Sequence, residues 1–95
     1  MKIEQLQQLL KIVEEGSINE AAKELYIARS SLSTSMKNLE RELGAQIFSR
    51  NSKGVCLTDF GADVYSQAKD ICTKIDFIQS VPYEEDRMNL SISSM

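Results

Sequence analysis

The sequence has no histidine and no tryptophan, and only one proline and two cysteines among its 95 residues. Without histidine, histidine-based catalysis and the common histidine-containing metal sites are excluded. Cys56 and Cys72 form no C-x-x-C pair, so we expect two reduced thiols in a cytoplasmic protein, packed as small core residues. No apolar run approaches the ~18 residues that a membrane span needs, and the polar N-terminus is unlike a signal peptide.

The chain is short and has few large apolar side chains, with three Phe and three Tyr. Its length suits one domain, which buries only about two thirds of its surface on folding. The apolar fraction of 42% and the charged fraction of 26% are ordinary, which excludes a disordered tail, a collagen-like chain and a disulfide scaffold. We therefore expect a small folded domain whose thin core a partner subunit extends.

The net charge of −3 is unevenly distributed. Residues 1–57 carry eight basic and seven acidic side chains, or +1, whereas residues 58–95 carry three and seven, or −4. Within residues 28–54 the count is five to two, or +3. Because local charge governs phosphate binding more than total charge does, the middle of the chain is suited to nucleic acid.

The spacing of apolar residues predicts three short helices. The first helix has one apolar stripe and ends at Gly16. The second begins at Ser17, which forms an S-x-x-E capping box with Glu20. The third ends before Gly44. The buried sides of the three helices are, in order, Leu6, Leu9, Leu10 and Val13; Ala21, Ala22 and Leu25; and Leu32, Met36, Leu39 and Leu43. The opposite face of the third helix is rich in hydroxyls and basic: Arg29, Ser30, Ser33, Thr34, Lys37 and Arg41.

A β-hairpin and a long helix follow. Two apolar runs flank the four-residue polar turn 51–54, which predicts a hairpin at 47–57. Thr58 caps a fourth helix, residues 59–79, that is roughly 30 Å long. Its seam of apolar residues approximates a coiled-coil repeat: Phe60, Val64, Ala68, Ile71, Ile75 and Ile78. Residues 80–87 are a polar linker, and the alternation at 88–92 predicts a strand, where we expect a second domain to begin.

These elements predict a mostly α fold, a winged helix-turn-helix of three helices and a β-hairpin wing, followed by a long dimerisation helix. The DNA major groove admits one helix, and the short hydroxyl side chains let the backbone of the third helix approach the bases. Arg29 is placed to reach a guanine edge and Lys37 to reach a phosphate. Arg50 and Lys53 of the wing suit a phosphate run or a minor groove.

An ordered set of residues carries a family resemblance. They are Leu6, Glu14–Ser17, Ala21–Ala22, Leu25, Leu32–Ser33, Leu39–Glu40, Glu42–Gly44, Ile47–Phe48, Arg50, Leu57–Thr58 and Gly61. Over about residues 1–79 the chain resembles the N-terminal DNA-binding region of LysR-type transcriptional regulators. The resemblance implies a bacterial regulator that binds operator DNA as a dimer or tetramer, with the helix-turn-helix at 18–37 inside a DNA-binding domain of residues 1–58.

The resemblance also implies roles for the rest of the chain. Helix 59–79 resembles the linker helix that pairs two subunits antiparallel. Residues 80–95 resemble the hinge and first strand of an effector-binding domain, which in the family binds a small metabolite. We expect no cofactor in this chain and no enzymatic activity, since no paired acids in an apolar pocket and no Gly-rich phosphate loop are evident.

The resulting hypothesis assigns three sets of residues. The base contacts are Arg29, Ser30, Ser33 and Thr34. The DNA backbone contacts are Ser17, Asn19, Lys37, Arg50 and Lys53. The dimer contacts are Phe60, Val64, Ala68, Ile71, Ile75 and Ile78.

Four positions depart from the usual family pattern. Ala28 stands where Ser is usual and cannot cap, so Ser30 takes over or the helix starts later. Arg29 replaces Gln, which favours guanine over adenine. Ser30 stands where Pro or Ser is usual, Thr34 replaces Arg, and Ser35 replaces Gln. These departures leave the fold intact and change the expected operator.

Alternatives remain at each level. Ser33, Arg29, Lys37 and Lys53 also suit a solvated surface, and Arg41 suits an intrahelical partner. The apolar seam of helix 59–79 alternatively packs inside one subunit. A winged helix also serves as a protein-interaction module without DNA, which the negative total charge favours, and other winged-helix families share the opening fold.

Overall fold

The structure, a computed structural model, describes residues 1–51 and 54–83, with the side chains of Arg50 and Asn51 left out. Its elements follow one another with short connections: α1 Ile3–Glu15, α2 Ile18–Leu25, α3 Arg29–Leu43, β1 Phe48–Asn51, β2 Gly54–Leu57 and α4 Asp59–Gln79. The predicted winged helix-turn-helix with a long fourth helix is confirmed. The predicted strand at 88–92 lies outside the described residues, and no described helix has the length and apolar character needed to cross a bilayer.

The end of α1 and the start of α2 lie at the predicted residues. Gly16 adopts a left-handed conformation (φ 72°) and its N–H donates to the Ile12 carbonyl, which closes α1. The Ser17 hydroxyl accepts from the Glu20 N–H at 3.3 Å, as the capping box predicts. The Glu20 carboxylate contacts Lys23 at 3.4 Å.

The buried side of α1 differs from the prediction. Ile12 and Gln8 are buried together with Leu6 and Leu9, whereas Leu10 and Val13, predicted on the buried side, are half-buried. Gln8 is tolerated there because its side chain has hydrogen-bonding partners on α1 and α3.

The turn between α2 and α3 relies on an unusual residue. Tyr26 ends α2 in the left-handed region (φ 58°), which non-glycine residues adopt rarely, and its ring is almost fully exposed. α3 starts at Arg29 with Ala28 at its N-cap and no side-chain cap. We expected either that Ser30 caps the helix in place of Ala28 or that the helix starts later. Neither occurs, because α3 begins directly after Ala28 and Ser30 does not cap it.

The wing is the predicted hairpin. β1 and β2 are antiparallel, with Phe48 opposite Leu57 and Asn51 opposite Gly54. Asn51 and Gly54 are the first and last residues of the predicted four-residue turn, and they also form the last pair of the ladder. Ile47, predicted to open the hairpin, precedes β1 and is fully buried in the core.

The long helix packs mainly against α1 and starts where predicted, with the Thr58 hydroxyl accepting from the Gly61 N–H at 2.9 Å. Ala68 and Cys72 of this helix lie in the core shared with α1 to α3. Burial, reinforced by the nearby Asp76 carboxylate, raises the pKa of the Cys72 thiol. Cys72 is thus the small core residue that we predicted, whereas the same prediction for Cys56 is wrong because β2 leaves Cys56 exposed.

Gly61 is the point where α4 touches the base of the wing. A Cβ at this position would lie 2.0 Å from the Ile47 carbonyl oxygen and 2.8 Å from its carbon. Both are backbone atoms that cannot rotate away. The close approach of α4 to the wing therefore requires glycine at residue 61.

Gly61→Ala will test this approach. Helix propensity alone predicts a gain of about 1 kcal/mol, but the overlap with Ile47 predicts a net loss of about 2–3 kcal/mol in the free energy of unfolding. Urea denaturation followed by circular dichroism measures the change. Ser66→Ala, on the exposed side of the same helix, is the matched control and is expected to change stability by less than about 0.5 kcal/mol. A stabilised Gly61→Ala protein would refute the close contact.

Candidate nucleic-acid interface

The outward face of α3 carries the centre of the candidate interface. The inner side of α3 packs into the core through three buried side chains, Leu32, Met36 and Leu39. The residues that face outward are exposed polar side chains: Arg29, Ser30, Thr34, Lys37, Asn38 and Arg41. Ser33 is half-buried at the flank that faces the wing. The structure therefore brings the four predicted base-contact residues onto the first two turns of one helix.

Two clefts border this face. The cleft on the wing side is lined by Ser33 and Lys37 of α3 and by Phe48 and Ser49 of the wing. The cleft on the other side lies between α1 and α3, and its α3 wall includes Ser30 and Thr34. The predicted base contacts are thus divided, with Ser33 on the wing side and Ser30 and Thr34 on the α1 side.

Glu40 fixes the wing side of α3. Its Oε2 accepts from the backbone N–H of Ile47 at 2.7 Å and from that of Phe48 at 3.1 Å. The Ile47 carbonyl in turn accepts from the Thr58 N–H at 2.9 Å, and the Thr58 hydroxyl donates to the Gln46 carbonyl at 2.6 Å. These bonds connect α3, the start of β1 and the start of α4. The sequence did not predict this role for Glu40. The sequence signal that was available is an acidic residue on the flank of α3, shortly before the wing.

Two glutamines of α1 fix the opposite side of α3. The Ser35 hydroxyl donates to Gln8 Oε1 at 2.5 Å, and Gln5 Nε2 donates to the Ser35 carbonyl at 3.3 Å. Gln8 is almost fully buried, so this contact is largely shielded from water. The sequence did not predict these contacts, because a polar residue beside an apolar stripe gives no signal of an interhelical partner.

The start of α2 is close to Arg29. Ser17, Asn19, Arg29 and the wing residue Gly54 line one small cleft. The first N–H groups of a helix lack partners within the helix and carry partial positive charge. The two residues predicted to contact phosphate from α2 therefore share a surface with one predicted base contact.

The remaining cations belong to α3 and to the wing. Arg41 donates to Asn38 Oδ1 at 3.2 Å, so it has an intrahelical partner, although not one of the flanking acids. Lys37 is exposed on the outer face of α3. Arg50 has its backbone opposite Val55 in the wing. Its side chain, and the whole of Lys53, lie outside the described residues.

The α4 seam predicted for dimerisation is divided between core and surface. Ala68, with 1% of its surface exposed, packs within the chain and has no area to offer a second subunit, so its assignment to the dimer interface is withdrawn. Val64 and Ile75 are half-buried. Phe60, Ile71 and Ile78 are exposed, and Ile71 and Val64 border an apolar groove with Leu6 and Leu43. The exposed members stay a predicted interface.

Comparison with known proteins points to one family. The family model described as bacterial regulatory helix-turn-helix protein, lysR family, matches residues 3–62. The nitrogen assimilation regulatory protein nac of Escherichia coli K12 is 37% identical over 79 residues, which cover 83% of this chain and 26% of nac. A probable RuBisCO transcriptional regulator of Porphyra purpurea is 30% identical over 86 residues, and the match covers 27% of that regulator. The chain thus spans about a quarter of the length of these relatives.

Solved structures give the same result. The chain is similar to the DNA-binding domain in the BenM_DBD/catB site 1 DNA complex, with a TM-score of 0.80 and 36% identity over 84% of this chain and 86% of that one. It is also similar to the CbnR_DBD–DNA complex, with a TM-score of 0.78 and 25% identity over 97% of this chain and 99% of that one.

The contact between Gln8 and Ser35 can be measured by a double-mutant cycle. We expect Ser35→Ala and Gln8→Ala each to lower the free energy of unfolding, and the coupling between them to be on the order of 1 kcal/mol, because either change leaves a buried polar group without its partner. Ser31→Ala, exposed on the same helix, is the control and is expected to be near neutral. Additive losses in the double variant would show that the two side chains do not interact.

Proposed function

Since the chain belongs to the lysR family of bacterial regulatory helix-turn-helix proteins, we propose that it forms the DNA-binding part of a transcription regulator that recognises operator DNA. The observation that carries the proposal is the outward face of α3, where hydroxyl and basic side chains project from a helix whose other side is held by the core. Similarity to two DNA-binding domains solved in complex with DNA supports it. This role is regulatory and not catalytic, and it places the protein with operator DNA in the cytoplasm.

In the proposed mode α3 enters the major groove. Ser30, Ser33 and Thr34 are short enough to let the helix approach the base edges, and Arg29 contacts guanine. Contacts to the DNA backbone come from the start of α2, from α3 itself and from the wing: Ser17, Asn19, Lys37, Arg50 and Lys53. Because phosphate contacts fix the register of the helix, the outer contacts set affinity and the inner ones set sequence preference.

Two chains bind together in this proposal. The exposed apolar residues Phe60, Ile71 and Ile78 of α4 are the surface through which two copies pair, so that each presents one α3 to a half-site. In the full-length protein the assembly is a dimer or a tetramer. The response to a small-molecule effector belongs to a further domain of that protein.

Fluorescence anisotropy of a labelled random-sequence duplex, titrated at several salt concentrations, tests DNA binding. With about four to six phosphate contacts per subunit, log affinity is expected to fall linearly with log salt, with a slope of roughly −4 to −5 per subunit. If no binding occurs even at low salt, while sedimentation shows the dimer, the domain serves a protein partner instead and the proposal is wrong.

Arg50→Ala tests the wing contact. Removing one phosphate contact is expected to weaken binding by a similar factor on every sequence, about tenfold, and to reduce the salt slope by about 0.9. Lys74→Ala, which removes an exposed cation from α4, controls for the change in total charge. Unchanged affinity in Arg50→Ala, or an equal loss in Lys74→Ala, would contradict the assigned role.

A further inference from the structure

Glu40 lies between the two surfaces that the proposed function assigns to DNA. It stands on α3 one turn after Lys37 and borders the same cleft, whose far wall is formed by Phe48 and Ser49 of the wing. It is half-buried. An acidic side chain at this position repels approaching phosphates, so its presence on a basic face calls for a physical explanation.

The hydrogen bonds of Glu40 explain its presence. One carboxylate oxygen, Oε2, accepts from both Ile47 N and Phe48 N. A glutamate on a recognition helix is otherwise suited to accept from the N4 amino group of cytosine. Here the carboxylate is instead turned to the backbone at the entrance of the wing, where hydrogen bonds to a charged acceptor are stronger than neutral ones.

The N–H groups of Ile47 and Phe48 both require a hydrogen-bond acceptor, which Glu40 supplies. Ile47 is fully buried, and a buried N–H without an acceptor carries a desolvation penalty. Phe48 is the first residue of β1, and its partner in the ladder is Leu57. Glu40 therefore holds the wing at the point where the chain leaves the core, from a position on the helix that reads DNA.

We propose that Glu40 is a positioning residue for DNA binding: it fixes the location of β1, and with it Arg50, relative to α3. This inference rests on the proposed function and adds a specific role for a residue that does not touch DNA. It implies that the wing and α3 engage DNA as one rigid unit. Without Glu40 the wing keeps its own ladder but loses its fixed distance from α3.

Two neutral substitutions separate the hydrogen bonds of Glu40 from its charge. Glu40→Gln and Glu40→Ala remove the same negative charge, but the Gln amide oxygen still accepts from Ile47 and Phe48. We expect Glu40→Gln to bind DNA within about twofold of the unaltered chain, or more tightly. Glu40→Ala should bind about tenfold more weakly than Glu40→Gln, with a salt slope smaller by about 0.9, because the wing contact is lost.

A double-mutant cycle in DNA affinity connects Glu40 to the wing. Arg50→Ala should weaken binding strongly in the Glu40→Gln protein and by less than about twofold in the Glu40→Ala protein. A general loss of stability does not produce this coupling, since all variants are measured at a temperature where thermal denaturation shows them folded. If Glu40→Ala does not fold, Glu40→Asp replaces it, because it keeps the charge and withdraws the carboxylate by roughly 1.5 Å.

The proposal is overturned if Glu40→Gln and Glu40→Ala bind with equal affinity and equal salt slope, or if the loss from Arg50→Ala is the same in both. If Glu40→Asp binds DNA with the same affinity as the unaltered chain, the proposal is overturned as well. These results differ from a failure of the proposed function, in which the unaltered chain itself does not bind the duplex.

Discussion

The position of the wing depends on the backbone of Ile47. Its side chain is buried in the core, its N–H donates to Glu40 of α3, and its carbonyl accepts from Thr58 at the start of α4. Gly61 leaves room for that carbonyl against the first turn of α4. Three elements thus meet at one residue. A hairpin of two four-residue strands has little stability of its own, so this junction allows it to serve as part of a binding surface.

The same structure accounts for DNA recognition by a chain with a net charge of −3. Several acids of the winged helix have local partners: Glu40 accepts from the wing backbone, Glu20 contacts Lys23, and Glu14 contacts Lys11. The acids Asp59, Asp63, Asp70 and Asp76 belong to α4. The outer face of α3 displays Arg29, Lys37 and Arg41 without an exposed acid in its first three turns. Local arrangement, and not total charge, is therefore what a phosphate encounters.

Sequence patterns predicted the helices well because their signals are local. Gly16 and Gly44 end helices through a left-handed backbone, and Ser17 and Thr58 begin them through hydroxyl caps, so each boundary is determined by adjacent residues. The division of α3 into an apolar and a polar side followed from its 3.6-residue period. The hairpin and its turn at 51–54 were also predicted, although the sequence did not show that Asn51 and Gly54 pair in the ladder as well.

The contacts that fix α3 were not predictable from the sequence. Gln8 and Ser35 are separated by 27 residues and Glu40 and Ile47 by seven, and polar residues of these types are usually solvated. Only the packing of α1 and of the wing against α3 brings these groups together. Likewise, the seam of α4 repeats evenly along the sequence, but α1 covers Ala68 and leaves Ile71 and Ile78 exposed.

Backbone amide chemical shifts of the ¹⁵N-labelled chain, followed while an unlabelled duplex is added, test whether the start of α2, the outward face of α3 and the wing form one DNA surface. We expect shift changes at Ser17, at Ser30, Thr34 and Lys37, and at Ser49 of the wing, with residues 76–79 of α4 unchanged. Changes confined to α4, or affecting α3 but not the wing, would contradict it.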